Sequence, residues 1–283
     1  MDKQTQIKKA EQFLALHHQP KLLVLPNIWD PIGARLLAHL GYPAVATASA
    51  SIAYALGYDD GQNITFAAML AAIQRVAEAV DLPVTADIEA GFAETPEAVA
   101  ENMRQVLEAG AVGINLEDSD MTKGELFPLD YQCARIEAVR AMADQVGIPL
   151  VINARTDVFI RGNERPLAEK LAEGISRMKA YLEAGADCIY PILLGDLEAL
   201  KTIQAETQAP INVYAPRVAA SMQELEAAEI RRLSLGPAMM QASLLTMQKI
   251  AQSLQNYDSF ERFTEAVMPS PEIKKLVERG KML

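Results

Sequence analysis

The stretch LPVTADIEAGFAETPEAVAENMRQVLEAGAVGINLED, residues 82–118, holds one complete repeat of this chain's organisation. Residues 83–86 form a short apolar run introduced by proline, as suits the start of a buried parallel strand. The run ends in Asp87-Ile88-Glu89. Thr95-Pro96-Glu97-Ala98 then supplies a cap, a proline at the first helical position and an acid in the first turn. The helix predicted from there closes at Glu108-Ala109-Gly110. A second apolar run, 112–116, follows and ends in Glu117-Asp118. The unit reads strand, helix, strand, with acids where each strand stops.

Working outward, the same alternation covers the chain. Further apolar runs lie at 22–25, 44–48, 149–152, 187–192, 210–214 and 232–235, which makes eight. Helical patterns between them occupy 32–40, 65–80, 129–146 and 167–184, and several stop at glycine, as at Gly41, Gly147 and Gly185. The joint Leu-Glu-Ala-Gly-Ala occurs at 107–111 and again at 182–186. Eight such units predict an α/β fold, a (β/α)8 TIM-type barrel, since an open doubly wound sheet usually has fewer strands. Residues 1–20 predict an extra N-terminal helix. Residues 257–283 predict a C-terminal helical arm, broken at Met268-Pro269-Ser270-Pro271 and ending in a charged helix over 271–281. The expectation is a single barrel domain over 1–283, with 257–283 as its extension.

Composition bounds the function. Half of the 283 residues are hydrophobic and 22% are charged, enough for a sizeable core. The net charge of −11 disfavours nucleic acid and anionic membrane surfaces as partners. No apolar run approaches the length of a membrane span. The start lacks an apolar segment of the signal-peptide kind, and Cys133 and Cys188 are isolated, so a cytoplasmic protein with reduced thiols is expected. Neither cysteine has a histidine nearby in sequence. His17, His18 and His39 lie in helical surroundings and read as structural or surface residues. No G-x-G-x-x-G and no Walker A motif is present.

In a barrel of this kind, chemistry sits at the C-terminal ends of the strands. Asp60, Asp87, Glu89, Glu117 and Asp118 are five acids expected near that mouth. Crowded carboxylates repel, and a hard divalent cation relieves the repulsion. Mg2+ takes one or two carboxylates directly and keeps waters that others can hold, whereas the lack of His and Cys at these positions argues against zinc. Arg155 is the main cation of the set, and its planar fork suits a substrate carboxylate. The plain alternative is that these acids cap helices or solvate loops; it is weakest for Asp87 and Glu117, which directly end apolar runs. Trp29 reads equally as packing or as a pocket wall.

Taken in order, Pro26-Asn27-Ile28-Trp29-Asp30, Ala48-Ser49-Ala50-Ser51, Leu56-Gly57-Tyr58-Asp59-Asp60-Gly61, Asp87-Ile88-Glu89-Ala90-Gly91-Phe92, Gly113-Ile114-Asn115-Leu116-Glu117-Asp118 and Ile152-Asn153-Ala154-Arg155-Thr156-Asp157 resemble the isocitrate lyase / phosphoenolpyruvate mutase superfamily. The resemblance runs from about residue 20 to about residue 240. It implies Mg2+ held directly by Asp87, with Asp60, Glu89 and Glu117 acting largely through water. It implies that Ser49 and Ala50 bind the carboxylate of a 2-oxo acid, with Trp29 and Arg155 lining the same pocket. It also implies a homo-oligomer, dimer or tetramer, in which the last helix is exchanged. The family chemistry makes or breaks a bond beside a pyruvate-like unit through an enolate, where positive charge is needed as the oxyanion develops.

Two departures narrow the reaction. The isocitrate and methylisocitrate lyases carry a Lys-Lys/Arg-Cys-Gly-His loop after the fourth strand's acid pair. Here the stretch is Ser119-Asp120-Met121-Thr122-Lys123-Gly124-Glu125-Leu126, without Cys or His. Residues 119–127 read as a lid with Gly124 as hinge. The phosphonomutases carry a histidine at the end of the sixth strand, where this chain has Tyr190-Pro191. The expected function is therefore a Mg2+-dependent carbon–carbon lyase or decarboxylase acting on a small 2-oxo or 2-hydroxy dicarboxylate. The alternatives are a carbon–phosphorus enzyme acting on phosphonopyruvate or phosphoenolpyruvate, or a catalytically weak keto-acid-binding relative. Arg155, Glu117 and Asp60 are the expected catalytic groups. Trp29, Ser49, Ala50 and Arg155 are the expected substrate contacts, and Asp87, Glu89 and Glu117 the expected metal ligands. Tyr58, Tyr190 and Tyr214 are equal candidates for proton donor.

Overall fold

The computed structural model describes residues 1–161, 164–257, 259, 261–265 and 267–278. In chain order the elements are α1 (Lys3–Leu16), β1 (Leu23–Leu25), β2 (Asn27–Ile28), α2 (Pro31–His39), β3 (Val45–Thr47), α3 (Ser49–Ala55), α4 (Phe66–Ala77), β4 (Val84–Asp87), α5 (Pro96–Glu108), β5 (Gly113–Glu117), β6 (Ser119–Asp120), β7 (Glu125–Leu126), α6 (Leu129–Val146), β8 (Val151–Thr156), α7 (Leu167–Glu183), β9 (Cys188–Pro191), α8 (Leu197–Thr207), β10 (Asn212–Tyr214), α9 (Met222–Ala227), β11 (Arg232–Ser234), α10 (Ala238–Gln255), α11 (Glu261–Glu265) and α12 (Ser270–Val277).

All eight predicted strands are present, and they pair in parallel as a (β/α)8 barrel. Six run in the order β2-β3-β4-β5-β8-β9, and β10-β11-β1 continue the wall. The two groups meet at the Ile189–Ile211 bridge. On the other side, β1 and β2 are one strand interrupted at Pro26, which has no N–H for a ladder. Its first half pairs with β11 and its second with β3. The Asn27 amide locks this seam. Its Oδ1 accepts from the backbone N–H of Leu235 at 2.8 Å and of Gly236 at 3.0 Å, while Nδ2 donates to the Thr47 carbonyl at 2.7 Å.

Local chemistry sets the helix starts. Thr95 caps α5 through Ala98 N–H and Asp30 caps α2 through Gly33 N–H, each with proline following at the first helical position. At the floor of the barrel, Phe13 of α1 is fully buried. A Cβ at Gly113 would lie 2.6 Å from the Phe13 ring, so β5 begins with glycine for want of room. The N-terminal helix thus stoppers the barrel. The C-terminal arm contains α11 and α12; the last three residues of the expected 271–281 helix lie outside the described residues. No helix among the described residues is long and apolar enough to cross a membrane.

Candidate active site

Residues paired across parallel neighbours point to the same side of a sheet. The register therefore lays out the lumen. Glu117 pairs with Arg155, and Arg155 with Tyr190, in a row at the C-terminal mouth. Past the Ile189–Ile211 bridge the row continues to Asn212 and Arg232. A deeper row holds Asp87, Asn115, Asn153 and Cys188. Barrels usually fill this space with branched aliphatics. Here Arg232 is wholly buried, and its Nη2 donates to Asn115 Oδ1 at 3.1 Å. Asn153 Nδ2 donates to the same oxygen at 2.7 Å.

The acids at the mouth carry more negative charge than their neighbours neutralise. Glu117 Oε2 meets Arg155 Nη1 at 2.7 Å, but its buried Oε1 has no partner. Glu89 Oε2 accepts from Gln62 N–H at 2.5 Å, and its buried Oε1 is also unpartnered. Burial, reinforced by Asp87 and Asp60, pushes the Glu89 carboxyl up to about 8. Glu117 is driven well above the carboxylate range by burial, against the opposing pull of Arg155. Asp60 is raised by partial desolvation and by Asp87. Arg155 stays firmly charged, because Glu117 and Asp157 outweigh its burial.

Several expected contacts fall elsewhere. Asp118 does not face the mouth: it follows Glu117 directly and points outward, where Thr156 Oγ1 (2.8 Å), Asp157 N–H (2.8 Å) and Tyr181 OH (2.6 Å) all donate to it. It is a structural acid between β5, β8 and α7. Arg155 does not present an open fork. Its Nε and Nη2 donate to Asp157 at 2.7 and 3.1 Å, which leaves two of its five N–H groups for a ligand. Ser49 begins α3, and its N–H and Oγ donate to Asp87 Oδ2 at 3.1 and 2.8 Å. Ala50 is buried beside it, and Trp29 is half-buried against the core at the end of β2. The predicted lid folds as the β6–β7 hairpin. Asp120 ties its turn through Thr122 and Lys123, and Ser119 Oγ donates to Asp157 at 2.5 Å.

Two supporting residues escaped the sequence reading. Glu89 has φ +50° and Gln62 φ +61°, conformations that cost other than glycine about 1–3 kcal/mol each and persist only where surroundings impose them. Gln62 imposes them from the preceding loop, through its N–H to Glu89 and its Oε1, which accepts from Phe92 N–H at 2.7 Å. Arg135 of α6, wholly buried, donates to the carbonyls of Ala90 and Glu117, the residues next to or in the acid set. It also stacks 4.5 Å from the Phe127 ring at the hairpin's base. Gln62 left no signal in the sequence. Arg135 did: it occupies the buried face of α6 with Gln132, Ile136 and Val139.

The donor set fits a hard cation. It is all carboxylate oxygen, with two orphaned buried oxygens and a charge surplus. Among the described residues no three His, Cys, Asp or Glu side chains converge to hold a metal ion unaided. An ion here would take one or two carboxylates and keep its waters, as Mg2+ does.

A profile of the family described as phosphoenolpyruvate phosphomutase matches residues 13–255. The chain is 34% identical to a Burkholderia cenocepacia J2315 protein of known structure, described as a candidate lyase/mutase, with a TM-score of 0.88 and 96% of each chain covered. It is 31% identical over 198 residues to the 2-methylisocitrate lyase of Aeropyrum pernix, covering 67% of this chain and 60% of that protein. It is 28% identical over 222 residues to oxaloacetate decarboxylase 2 of Pseudomonas fluorescens, covering 75% of this chain and 72% of the other.

Proposed function

The chain belongs to the phosphoenolpyruvate phosphomutase family, and from that premise we propose that it is a Mg2+-dependent enzyme that breaks a carbon–carbon bond in a small 2-oxo dicarboxylate, through a pyruvate-like enolate. The observation that carries this reading is the mouth itself: Asp60, Asp87, Glu89 and Glu117 around one lumen, with unpartnered oxygens on Glu89 and Glu117 and with Arg155 paired to Glu117. Asp87 would hold the metal, and Glu89, Glu117 and Asp60 its waters. When bound, the metal supplies the positive charge that an enolate oxygen requires. The chain's own residues do the rest. The two free N–H groups of Arg155 grip the substrate carboxylate. Ser49 holds Asp87 in place through two hydrogen bonds. Trp29 and Ala50 wall the pocket, and the hairpin covers it. Decarboxylation suits this constellation, because it needs an electron sink but no acid on the lid. Similarity to an oxaloacetate decarboxylase supports the same substrate class.

An apolar stripe on α10, with Leu244, Leu245, Met247 and Leu254 all about half exposed, supports a homo-oligomer formed through this helix. A metabolic enzyme of this kind belongs in the cytoplasm.

The test is release of a 2-oxo acid reducible by lactate dehydrogenase, pyruvate from oxaloacetate, 2-methylisocitrate, 2,3-dimethylmalate and phosphonopyruvate and glyoxylate from isocitrate, each with Mg2+ and with EDTA, beside a protein-free control. The expected result is Mg2+-dependent turnover of oxaloacetate, reduced about 10³-fold or more by Asp87→Ala with the fold intact. Turnover of phosphonopyruvate alone would replace the carbon–carbon reading with a carbon–phosphorus one. Undiminished activity in Asp87→Ala would end the metal assignment.

A further inference from the structure

Three tyrosines are the candidate proton donors left open by the sequence, and the structure separates them and the two cysteines. Tyr58 is 54% exposed on its loop. Tyr214 lays its ring against Gly236. Cys133 sits on α6 in the outer helical layer. Cys188 is in the lumen but wholly buried, with its thiol pushed up to about 12 by burial. Tyr190 differs from all of these. It is paired with Arg155 in the mouth row and only 4% exposed, so its ring fills the lumen wall. Its hydroxyl makes no hydrogen bond to any described residue, yet it is absent from the walled-off orphans and keeps contact with solvent. A phenol buried in the lumen wall beside Arg155, with its hydroxyl unpartnered, is placed to meet a ligand.

We propose that Tyr190 is the proton donor of this site, its phenol delivering a proton to C3 of the enolate that remains after the carbon–carbon bond breaks. The assignment rests on the decarboxylase reading above. The balance is direct. The C3–carboxylate bond breaks and carbon dioxide leaves, its bonding electrons forming the enolate. The enolate then takes the phenol proton at C3 to give pyruvate. The tyrosinate, steadied by the Arg155 guanidinium beside it, recovers a proton from water through its open edge. Burial and Asp87 together keep the phenol protonated between turnovers. The same step run backwards exchanges the methyl protons of pyruvate with solvent.

Tyr190→Phe keeps the ring and removes the donor. In the Mg2+-loaded enzyme we expect kcat on oxaloacetate and the rate of pyruvate methyl H/D exchange, followed by proton NMR in D2O, both to fall by about 10²-fold or more. KM, and the thermal stabilisation given by oxalate as an enolate mimic, should stay within about twofold, since neither depends on the donated proton. If wild-type turnover is present and Tyr190→Phe exchanges and turns over within about threefold of it, Tyr190 is not the donor although the decarboxylase reading stands. If the wild-type chain neither turns over nor exchanges, the decarboxylase reading fails and this assignment fails with it.

Discussion

Glu117 and Asp118 are adjacent acids on the same stretch of wall, and they live in opposite worlds. On the outer face Asp118 is saturated, taking hydrogen bonds from Thr156, Asp157 and Tyr181, with Arg177 at 3.6 Å. On the inner face Glu117 and Glu89 each keep a buried oxygen with nothing to bind. Both acids of the adjacent pair are buried and ionisable, so burial alone does not mark function. What marks it is unsatisfied capacity: a buried carboxylate with both oxygens bonded is holding the fold together, while one left short has room for a ligand.

Removing each kind of acid tests that contrast. Asp118→Ala strands the Arg177 charge and three donors in the wall, and should cost about 3–5 kcal/mol in urea unfolding. A loss below about 1 kcal/mol would show the outer face to be no more committed than the inner. The inner face should respond to pH instead. In the metal-free protein Glu89 remains protonated up to about pH 8, whereas the unfolded chain ionises it near 4.5. The folded state binds the extra proton through that window, so its stability is full at low pH and falls, by a few kcal/mol at most, as pH rises through 8. Thermal unfolding in EDTA at acid and alkaline pH should show the fall, Glu89→Gln should reduce it, with the raised Glu117 left to carry the rest, and Mg2+ should stabilise more at the alkaline end, where no proton need be displaced. A flat wild-type profile would contradict the charge surplus. The smallest effect belongs to an acid satisfied at the surface. Lys123 pairs with Asp120 at 3.2 Å while 71% exposed, and Lys123→Ala should change stability by less than about 1 kcal/mol. A larger loss would mean that the hairpin turn matters to the wall beneath it.

Much of this contrast was legible before any coordinates. Short apolar runs, helix caps and closing glycines specified the barrel, because each strand and helix follows from a local period and a local stop. The mouth acids followed from their position at strand ends. Asp118 was misplaced with them for want of one further step: side chains alternate along a strand, so of two neighbouring acids only one can face the lumen. The engagement of Arg155 by Asp157 was harder to see. It depends on two residues of one strand end curling toward each other, and residue type alone does not say whether a cation is free. Gln62 acts through its backbone N–H and a left-handed turn, neither of which its identity announces. Arg135 could have been found, since an arginine on the buried face of an amphipathic helix must have carbonyls to reach.

The Asn27 seam has a consequence in time. Its partners at Leu235 and Gly236 lie 208 and 209 residues further along the chain. During synthesis the first strand therefore waits, one edge unpaired, until nearly the whole barrel has been made, an interval of about 10–40 s at 5–20 residues per second. The ring cannot close early on a fragment. Every acid of the mouth, from Asp60 to Glu117, will have emerged before the wall that confines it is complete, so the crowded mouth is assembled last, from parts already in place.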